Sequence, residues 1–373
     1  MMRRHLVVVG ASLAGLRTAE ALRRLGHEGP ITVVGAEQHP PYDRPPLSKG
    51  LLSGRMMPTG VRLSQATNVG ADWQLGVPAV ALQADVRRVE LADGRTVPYD
   101  GLVIATGARA VPGGPGVRTL RSLDDAIALR QELRPGRRVA VLGGGFLGSE
   151  IAAVARERGC EVQLVTRQPL PLLTAAGEPV AAVVAELHRR AGVTLHQELA
   201  SSADLVVAAT GAIPNTEWLN DAGLMPAADG LQCDEWLRPL RADGSVLPDV
   251  VAAGDVVRWP HPLAQGGLVS LGHWSNAVDQ AETAAYNLVF PDRARPFGAV
   301  PSFWSDLYGV QLRAVGIPRL GTPTVEEHDP DRTRLVVTYH RDSRLVGAVT
   351  LNRTSRLAVY RAHLAAQLPL VVA

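Results

Sequence analysis

The spacing of apolar residues near the start of the chain predicts a strand, a helix and a second strand. HLVVVGASLAGLRTAEALRRLG opens with an apolar run, after which Leu16, Ala19 and Leu22 recur at helical spacing, and ITVVG follows. The turn between strand and helix is Gly10-x-Ser12-x-x-Gly15, whose small residues would let the backbone approach a pyrophosphate at the helix N-terminus. The pattern predicts a dinucleotide-binding βαβ unit, although a lone turn of this kind is equally typical of a plain βα connection.

The same order of elements returns in mid-chain. RRVAVLGGGFLGSEIAAVARERG predicts strand, turn and helix with Gly143-x-Gly145-x-x-Gly148 intact, and the strand EVQLVTR follows. Two such units indicate dinucleotide binding far more specifically than one. Three further apolar strands are predicted, two ending in Ala-Thr-Gly at 105–107 and 209–211 and one ending in Gly254-Asp255. Cofactors bind at the carboxyl ends of such strands, where these small and acidic residues would lie. Taken singly, Asp255 is more typical of a turn.

Two further segments predict antiparallel structure. VELADGRTVPYDG indicates a hairpin through Asp93-Gly94. After Pro296 the alternating segments TRLVVTYHR and RLVGAVTLN are joined by RDS. We expect a small antiparallel module there, closed by a helix at 353–368.

Composition and charge narrow the classes of function. The chain has 373 residues, of which 46% are hydrophobic, enough for two or three domains. Its formal net charge is +2 with arginines scattered among acids, so nucleic acid and an anionic membrane are poorly supported as partners. No apolar run reaches the ~18 residues of a membrane span. The opening MMRRHLVVVG has the outline of a secretory signal but continues into the glycine turn, so we interpret it as the first strand.

The two cysteines, Cys160 and Cys233, lie far apart without CxxC or metal-ligand spacing. This usage suits a reducing cytoplasm, and it predicts neither a disulfide scaffold nor a redox-active pair nor a metal site. Redox chemistry in this chain would therefore need a bound cofactor.

The order of the motifs resembles the FAD-dependent pyridine nucleotide-disulfide oxidoreductase superfamily. PYDRPPLSK, HWSNAVDQAETAAYNL and PSFWSDLYG narrow the resemblance to the oxygenase-type ferredoxin reductases, from His5 to about His363. The resemblance implies an α/β fold with two Rossmann-like dinucleotide-binding domains and a small C-terminal α+β module. We expect an FAD-binding domain at 1–108 and 236–293, a shortened NAD(P)-binding domain at 109–235 and a C-terminal reductase module at 294–373.

For FAD, the resemblance and the motifs imply ligands from both parts of the first domain: Gly10, Ser12, Leu13, Ala14, Gly15, Glu37, Arg44, Pro46, Lys49, Thr106, Gly107, Arg130, Gly254, Asp255 and Trp274. Glu37 is placed to take a ribose hydroxyl, because the family's usual acid after Gly35 is Ala36 here. Trp274 would lie against the flavin ring, or pack in the core, or do both. Trp304 belongs either to the module's core or to a docking surface.

Lys49 is the single lysine of the chain, although Lys and Arg together number 38. In the family the matching lysine lies beside the reactive edge of the flavin and pairs with a glutamate, here Glu150. A fixed cation there favours the negative charge that reduction places on the ring, and a guanidinium would be too wide. We therefore expect Lys49 and Glu150 to be the catalytic residues; the alternative is that Lys49 is an ordinary surface lysine.

For the nicotinamide dinucleotide, the resemblance implies Gly143, Gly145, Phe146, Leu147, Gly148, Glu150, Arg167, Thr210 and Gly211. Relatives that use NADH carry a glutamate where Thr166 falls, and the arginine that follows it here can bind a 2′-phosphate. Leu173 stands where a second such arginine would be needed, and an exposed arginine is the alternative interpretation. The pattern favours NADPH, or weak discrimination, over NADH.

Three other features bear on the site. Gly272 replaces a glutamate that relatives carry before His-Trp. Residues 193–202 stand in for a longer antiparallel excursion, which would leave that face of the sheet open or covered by a partner chain. His261 and His273 are interpreted as structural, because hydride transfer to a flavin needs no protein acid for its first step.

The function implied by the resemblance is that of an NAD(P)H-dependent flavoprotein reductase. It would pass electrons from NADPH or NADH through FAD to an iron-sulfur ferredoxin, which serves a monooxygenase such as a cytochrome P450 or a dioxygenase. A reductase for rubredoxin or oxygen, and a non-catalytic redox-sensing flavoprotein, remain alternatives. We expect a cytoplasmic monomer or weak dimer.

Overall fold

The computed structural model describes residues 4–63, 69–200 and 202–368. Within these ranges the helices are α1 (Leu13–Arg24), α2 (Leu123–Glu132), α3 (Phe146–Glu157), α4 (Leu173–Arg190), α5 (Trp274–Val289) and α6 (Leu357–Ala365). The strands are β1 (Leu6–Val9), β2 (Ile31–Gly35), β3 (Asp72–Leu75), β4 (Ala79–Gln83), β5 (Arg88–Leu91), β6 (Thr96–Pro98), β7 (Gly101–Ile104), β8 (Ala108–Ala110), β9 (Arg118–Thr119), β10 (Arg138–Leu142), β11 (Glu161–Val165), β12 (Thr194–His196), β13 (Leu205–Ala208), β14 (Ala212–Pro214), β15 (Pro226–Ala227), β16 (Gly230–Gln232), β17 (Val250–Ala252), β18 (Val257–Pro260), β19 (Leu268–Val269), β20 (Ser302–Leu307), β21 (Val310–Gly316), β22 (Thr322–Asp329), β23 (Arg334–Arg341) and β24 (Arg344–Leu351).

The first large sheet is parallel, with strand order β17-β7-β1-β2-β3. The apolar face of α1 covers it, and the predicted core positions Leu16, Ala19 and Leu22 are fully buried. The chain leaves β1 on one side toward β2 and returns on the other at β7, so the carboxyl ends of the strands open a crevice beside β1. The strand β17 thus joins a sheet whose other four strands all lie before residue 105 of the chain.

The second parallel sheet has the order β12-β11-β10-β13-β9. One face carries Val141 and Leu164, which pack in a core with α2 and α3. Alternation along the strands directs Ala140, Gln163 and Ala208 to the other face. The predicted α/β class with two dinucleotide-binding sheets is confirmed.

The short connection in the second domain does not leave that other face bare. Ala140, Gln163 and Ala208 are 0%, 7% and 4% exposed. The amide N–H of Ala200 donates to the side-chain oxygen of Gln163, and the 111–117 loop approaches Ala208 at Gly113. Residues 197–200 and 202–204, between β12 and β13, form no strand. At Gln163 and Ala208 the chain therefore covers its own sheet with loops.

The C-terminal sheet is antiparallel, with the order β20-β21-β24-β23-β22. The helix expected at 353–368 is shorter, because residues 354–356 form a 3₁₀ turn before α6 begins. The predicted hairpin through Asp93-Gly94 joins β5 to β6. Smaller sheets pair β8 with β14 and combine β15, β16, β18 and β19.

The C-terminal sheet and the second domain share a core. Val180 and Val184 of α4 are buried in one apolar cluster with Val337 and Val349 of the C-terminal sheet. The hydroxyl of Tyr339 donates to the carbonyl of Ala176 at 2.5 Å. This shared core fixes the position of β20 relative to the second glycine turn.

Hydrogen bonding across this interface also involves a buried histidine. His188 of α4 is fully buried, and its Nδ1 lies 2.8 Å from the hydroxyl of Tyr308. Burial lowers the pKa of His188 from 6.5 to about 4, and it does the same for His261 and His273.

Among the helices of the described residues, none combines the length and the apolar character that a membrane span needs.

These histidines predict that stability falls on mild acidification. Between pH 6.5 and about 4 the unfolded chain binds protons that the folded chain excludes, so stability is retained above 6.5 and lost as the pH falls through this window. Each histidine would cost on the order of 2 kcal/mol at pH 5. His188→Gln should reduce the difference between urea midpoints measured at pH 7.5 and pH 5, whereas exposed His363→Gln should leave it unchanged. Equal pH dependence in all three proteins would contradict the assignment.

Candidate functional site

A cavity of about 1040 Å³ lies at the carboxyl ends of the first sheet and extends to the first turns of α3, which follow the second glycine turn. Residues from all three parts of the chain line it, including Ser12 and Glu37 of the first domain, Phe146 of the second and Trp304 of the C-terminal module. Of the predicted FAD ligands, the lining includes Gly10, Ser12, Leu13, Ala14, Glu37, Arg44, Lys49, Thr106, Gly107, Gly254, Asp255 and Trp274. Pro46 and Gly15 lie in the expected turns without lining the cavity, whereas Pro45 lines it.

The first glycine turn is shaped by close backbone approach. Gly10 has φ +124°, and a Cβ atom there would lie 2.0 Å from the carbonyl oxygen of Ala105. A Cβ atom on Gly15 would lie 1.8 Å from the carbonyl oxygen of Gly10. Only glycine allows both approaches, which bring the N-terminus of α1 to the cavity wall with Ser12 as its N-cap. This geometry suits a pyrophosphate.

Glu37 lies at the predicted place with two protein partners that the sequence did not indicate. Its Oε2 accepts from the hydroxyl of Tyr42 at 2.5 Å, and its Oε1 accepts from the guanidinium of Arg44 at 2.5 Å. Burial raises the pKa of Tyr42, so its hydroxyl remains a donor. The cluster holds the carboxylate at the cavity wall even though the preceding residue is Ala36.

Arg121, rather than Arg130, is the linker arginine that reaches the cavity. Its Nη2 donates to Asp255 Oδ2 at 2.6 Å and its Nε to the carbonyl of Ala108 at 2.9 Å. Arg130 points away, with its guanidinium against Gly54 and 3.5 Å from the carbonyl of Met56. The structure therefore corrects the prediction for Arg130. The capping box that Ser122 forms with Asp125 fixes the start of α2 and so aims Arg121 at the cavity.

Lys49 and Glu150 meet where the cavity passes from the first domain to the second. Lys49 Nζ lies 2.7 Å from Glu150 Oε1, and the glutamate side chain is 7% exposed. Lys49 sits on a single π-helical turn, Leu47–Leu51, which follows the proline-rich segment. Glu150 lies in the first turns of α3. The predicted pairing is present, and both residues line the cavity.

Two serines complete the surroundings of Glu150, and sequence reasoning missed both. Ser48 Oγ donates to Glu150 Oε2 at 2.5 Å, and Ser305 Oγ donates to Glu150 Oε1 at 2.6 Å. All three side chains are buried. The carboxylate thus accepts from an ammonium and two hydroxyls, which is the arrangement that stabilises a buried negative charge.

Two tryptophans form an aromatic wall near this pair. Trp274 begins α5, and its Nε1 donates to Asp43 Oδ1 at 2.6 Å. Its ring stands edge-on to that of Trp304, with centroids 6.1 Å apart. Trp304 also lines a shallow outer groove of about 490 Å³ with Arg313, Leu357, Ala358 and Arg361. It therefore belongs to neither core nor surface alone, because it separates the cavity from the outer groove.

The second glycine turn repeats the geometry of the first. Gly143 has φ +113°, and a Cβ there would lie 2.3 Å from the carbonyl oxygen of Ala209. Phe146, Leu147 and Glu150 line the cavity. The other predicted nucleotide ligands do not line it: Gly143, Gly145, Gly148, Arg167, Thr210 and Gly211. Arg167 is exposed after the end of β11, next to the buried Thr166.

The aromatic ring of Phe146 is packed against the C-terminal module. Its ring centroid lies 5.0 Å from that of Phe303, which is 4.7 Å from that of His273. Burial lowers the pKa of His273 to about 4, which keeps it neutral near pH 7. His261 accepts from the amide N–H of Leu263 and is fully buried. The geometry agrees with the structural interpretation of His261, which lies outside the cavity lining. His273 lines the cavity, so for this residue the structural interpretation stays a prediction.

Comparison with known families assigns nearly the whole described chain. The family described as pyridine nucleotide-disulphide oxidoreductase matches residues 4–202 and 196–281. The two matches overlap at 196–202, the connection where the sequence lacks an excursion. The family described as reductase C-terminal matches residues 302–372.

Individual relatives are similar over most of their length. The anthranilate 1,2-dioxygenase system ferredoxin--NAD(+) reductase component of Burkholderia cepacia is 37% identical, covering 93% of this chain and 90% of the relative. Putidaredoxin reductase of Pseudomonas putida is 31% identical, covering 94% and 89%. Among solved structures, the covalent putidaredoxin reductase-putidaredoxin complex matches with a TM-score of 0.88 and 30% identity, covering 98% of this chain and 94% of the matched chain.

Proposed function

The chain belongs to the pyridine nucleotide-disulphide oxidoreductase family, and on that basis we propose that it is an NAD(P)H:ferredoxin reductase containing FAD. It takes electrons from NADPH or NADH and delivers them to a ferredoxin that serves an oxygenase. The observation that carries the proposal is a single cavity that runs from the first glycine turn to the first turns of α3, with the Lys49–Glu150 pair at the junction. We also propose that the protein acts in the cytoplasm, a reducing compartment. The free state of Cys160 and Cys233 supports this.

The residues present fit FAD. The close backbone approach of Gly10 to Ala105 brings the N-terminus of α1 to the cavity wall, where its amide groups would face the pyrophosphate. Glu37 offers a carboxylate to the ribose, and Asp255 lies at a strand's carboxyl end for the ribityl chain. Trp274 supplies an apolar wall for the ring. When bound, FAD supplies the chemistry that accepts two electrons as hydride and passes them on singly.

The chain's own contribution to reduction is electrostatic. The Lys49 ammonium stands at the cavity wall and is 21% exposed. Beside a bound flavin it would stabilise the negative charge that reduction places on the ring. Glu150, with three donors, holds the ammonium in one place without adding a mobile counterion. Phe146, at the start of α3, packs against Phe303 of the C-terminal module, and both rings line the cavity.

On the acceptor side, we place the ferredoxin at the outer groove. Trp304 lines both this groove and the cavity, so the groove is the surface nearest to the aromatic wall. Arg313 and Arg361 line the groove as well, which favours an acidic partner. Reduction of rubredoxin or oxygen remains the alternative function, and it is distinguished by electron transfer without a ferredoxin.

The first test is an anaerobic titration of the purified protein. It should be yellow, release FAD rather than FMN on denaturation, and bleach in the flavin band when NADPH or NADH is added. Addition of an oxygenase-type [2Fe–2S] ferredoxin should then restore the flavin absorbance as the acceptor is reduced. Bound FAD that neither nucleotide bleaches would contradict the enzyme and favour a non-catalytic flavoprotein.

The second test removes the single ammonium. Lys49→Met should retain FAD, lower the flavin midpoint potential and slow reduction by NADPH at least about tenfold, because the lost charge stabilised the reduced ring. Arg55→Met is the matched control, since Arg55 pairs with Glu157 outside the cavity lining. An unchanged potential in Lys49→Met would place the lysine away from the flavin.

The third test concerns nicotinamide preference, which we propose to be NADPH or weak discrimination. Arg167→Ala should raise KM for NADPH about tenfold and that for NADH less than twofold, because a single exposed phosphate contact contributes about 1–3 kcal/mol. Arg190→Ala, which removes an exposed arginine paired with Glu186 on α4, is the control. A wild-type enzyme that prefers NADH tenfold would show that another residue reads the ribose.

A further inference from the structure

Strand β20 brings Phe303 and Trp304 to the cavity wall and Ser305 to Glu150. Ser305 is fully buried and faces Glu150, whereas its neighbour Asp306 is exposed and pairs with Arg313. Successive side chains of a strand point to opposite faces, which places Ser305 toward Glu150 and Asp306 toward solvent. Pairing with Leu312 of β21 and a bond from Arg313 Nη1 to the Ser305 carbonyl, at 3.2 Å, fix the backbone there.

Glu150 is held by three parts of the chain that are remote in sequence. Its Oε1 is shared by Lys49 Nζ at 2.7 Å and Ser305 Oγ at 2.6 Å, while Oε2 accepts from Ser48 Oγ at 2.5 Å. Lys49 and Ser48 come from the first domain, Glu150 from the second and Ser305 from the C-terminal module. The hydroxyl of Ser305 is therefore the only contribution of the C-terminal module to this carboxylate among the hydrogen bonds of the described residues.

Sharing one carboxylate oxygen has an electrostatic consequence. A hydroxyl that donates to Glu150 Oε1 offsets part of the negative charge that would otherwise act on Lys49 and on the cavity beyond it. Without this donor, the carboxylate would neutralise the ammonium more completely and would be free to turn about its terminal torsion. Both changes weaken the positive field at the cavity wall.

We propose that Ser305 is a positioning residue for flavin reduction, which acts through Glu150 to keep the Lys49 ammonium effective. The proposal rests on the proposed reductase function. It means that the catalytic pair is complete only when the C-terminal module is docked, because a buried hydroxyl of that module is one of the three donors to Glu150.

The test compares Ser305→Ala with wild-type holoenzyme. FAD should remain bound, the flavin midpoint potential should fall, and the limiting rate of anaerobic reduction by NADPH should decrease about five- to tenfold, because Ser305 acts on the ammonium only through Glu150 and Ser48 still donates to that carboxylate. The nucleotide concentration at half-maximal rate should change less than twofold. Ser302→Ala is the matched control: its hydroxyl is on the same strand but near Ser275, so the potential should not move.

A double-mutant cycle separates positioning from a merely structural role. In a Glu150→Gln background, Ser305→Ala should change the potential and the limiting rate less than twofold, because the charge that it tunes is gone. The same five- to tenfold loss in that background would overturn the proposal, as would an unchanged potential in the single variant. A wild-type protein that neither nucleotide reduces would instead refute the proposed function itself.

A second pair of variants covers the outcome in which Ser305→Ala does not fold or loses FAD. Ser305→Thr and Ser305→Val have nearly the same shape and differ in the hydroxyl. The Thr variant should keep a higher potential and a faster limiting rate than the Val variant. Equal potentials in the two would overturn the proposal, because the hydroxyl would then have no effect on the ammonium.

Discussion

The ion pair between Lys49 and Glu150 is the interaction on which the site depends. A carboxylate and an ammonium that are both largely removed from water are stable together only if their remaining hydrogen-bonding capacity is satisfied. The hydroxyls of Ser48 and Ser305 donate the further hydrogen bonds that the Glu150 carboxylate needs. The pair is thus where the first domain, the second domain and the C-terminal module meet, and each must be in place for the cation to stand at the cavity wall.

The architecture around the pair follows from this constraint. The cavity runs from the first glycine turn to the first turns of α3, and the core shared by α4 and the C-terminal sheet fixes β20 beside it. From β20, Phe303 reaches the second glycine turn, Trp304 separates cavity from groove, and Ser305 reaches Glu150. One strand therefore links the nucleotide side, the flavin side and the proposed acceptor side.

The sequence predicted what local pattern or a specific motif encodes. The two βαβ units follow from hydrophobic periodicity and glycine spacing, and the pairing of Lys49 with Glu150 followed from resemblance. Arg121 and Ser305 were missed because their contacts form only when segments more than a hundred residues apart come together. Arg130 was assigned to the cofactor from its place in the linker helix, and its side chain lies on the side facing Gly54.

The proposed function requires the Lys49 ammonium, held by Glu150, to lie beside the flavin ring. The most direct measurement is the distance from Lys49 Nζ to the nearest polar ring atom of FAD in a crystal structure of the holoenzyme. We expect this distance to be that of a hydrogen bond, about 2.8–3.2 Å, with Glu150 still bonded to both serines. A ring more than about 6 Å from Lys49, or a Lys49 turned away from Glu150, would contradict it.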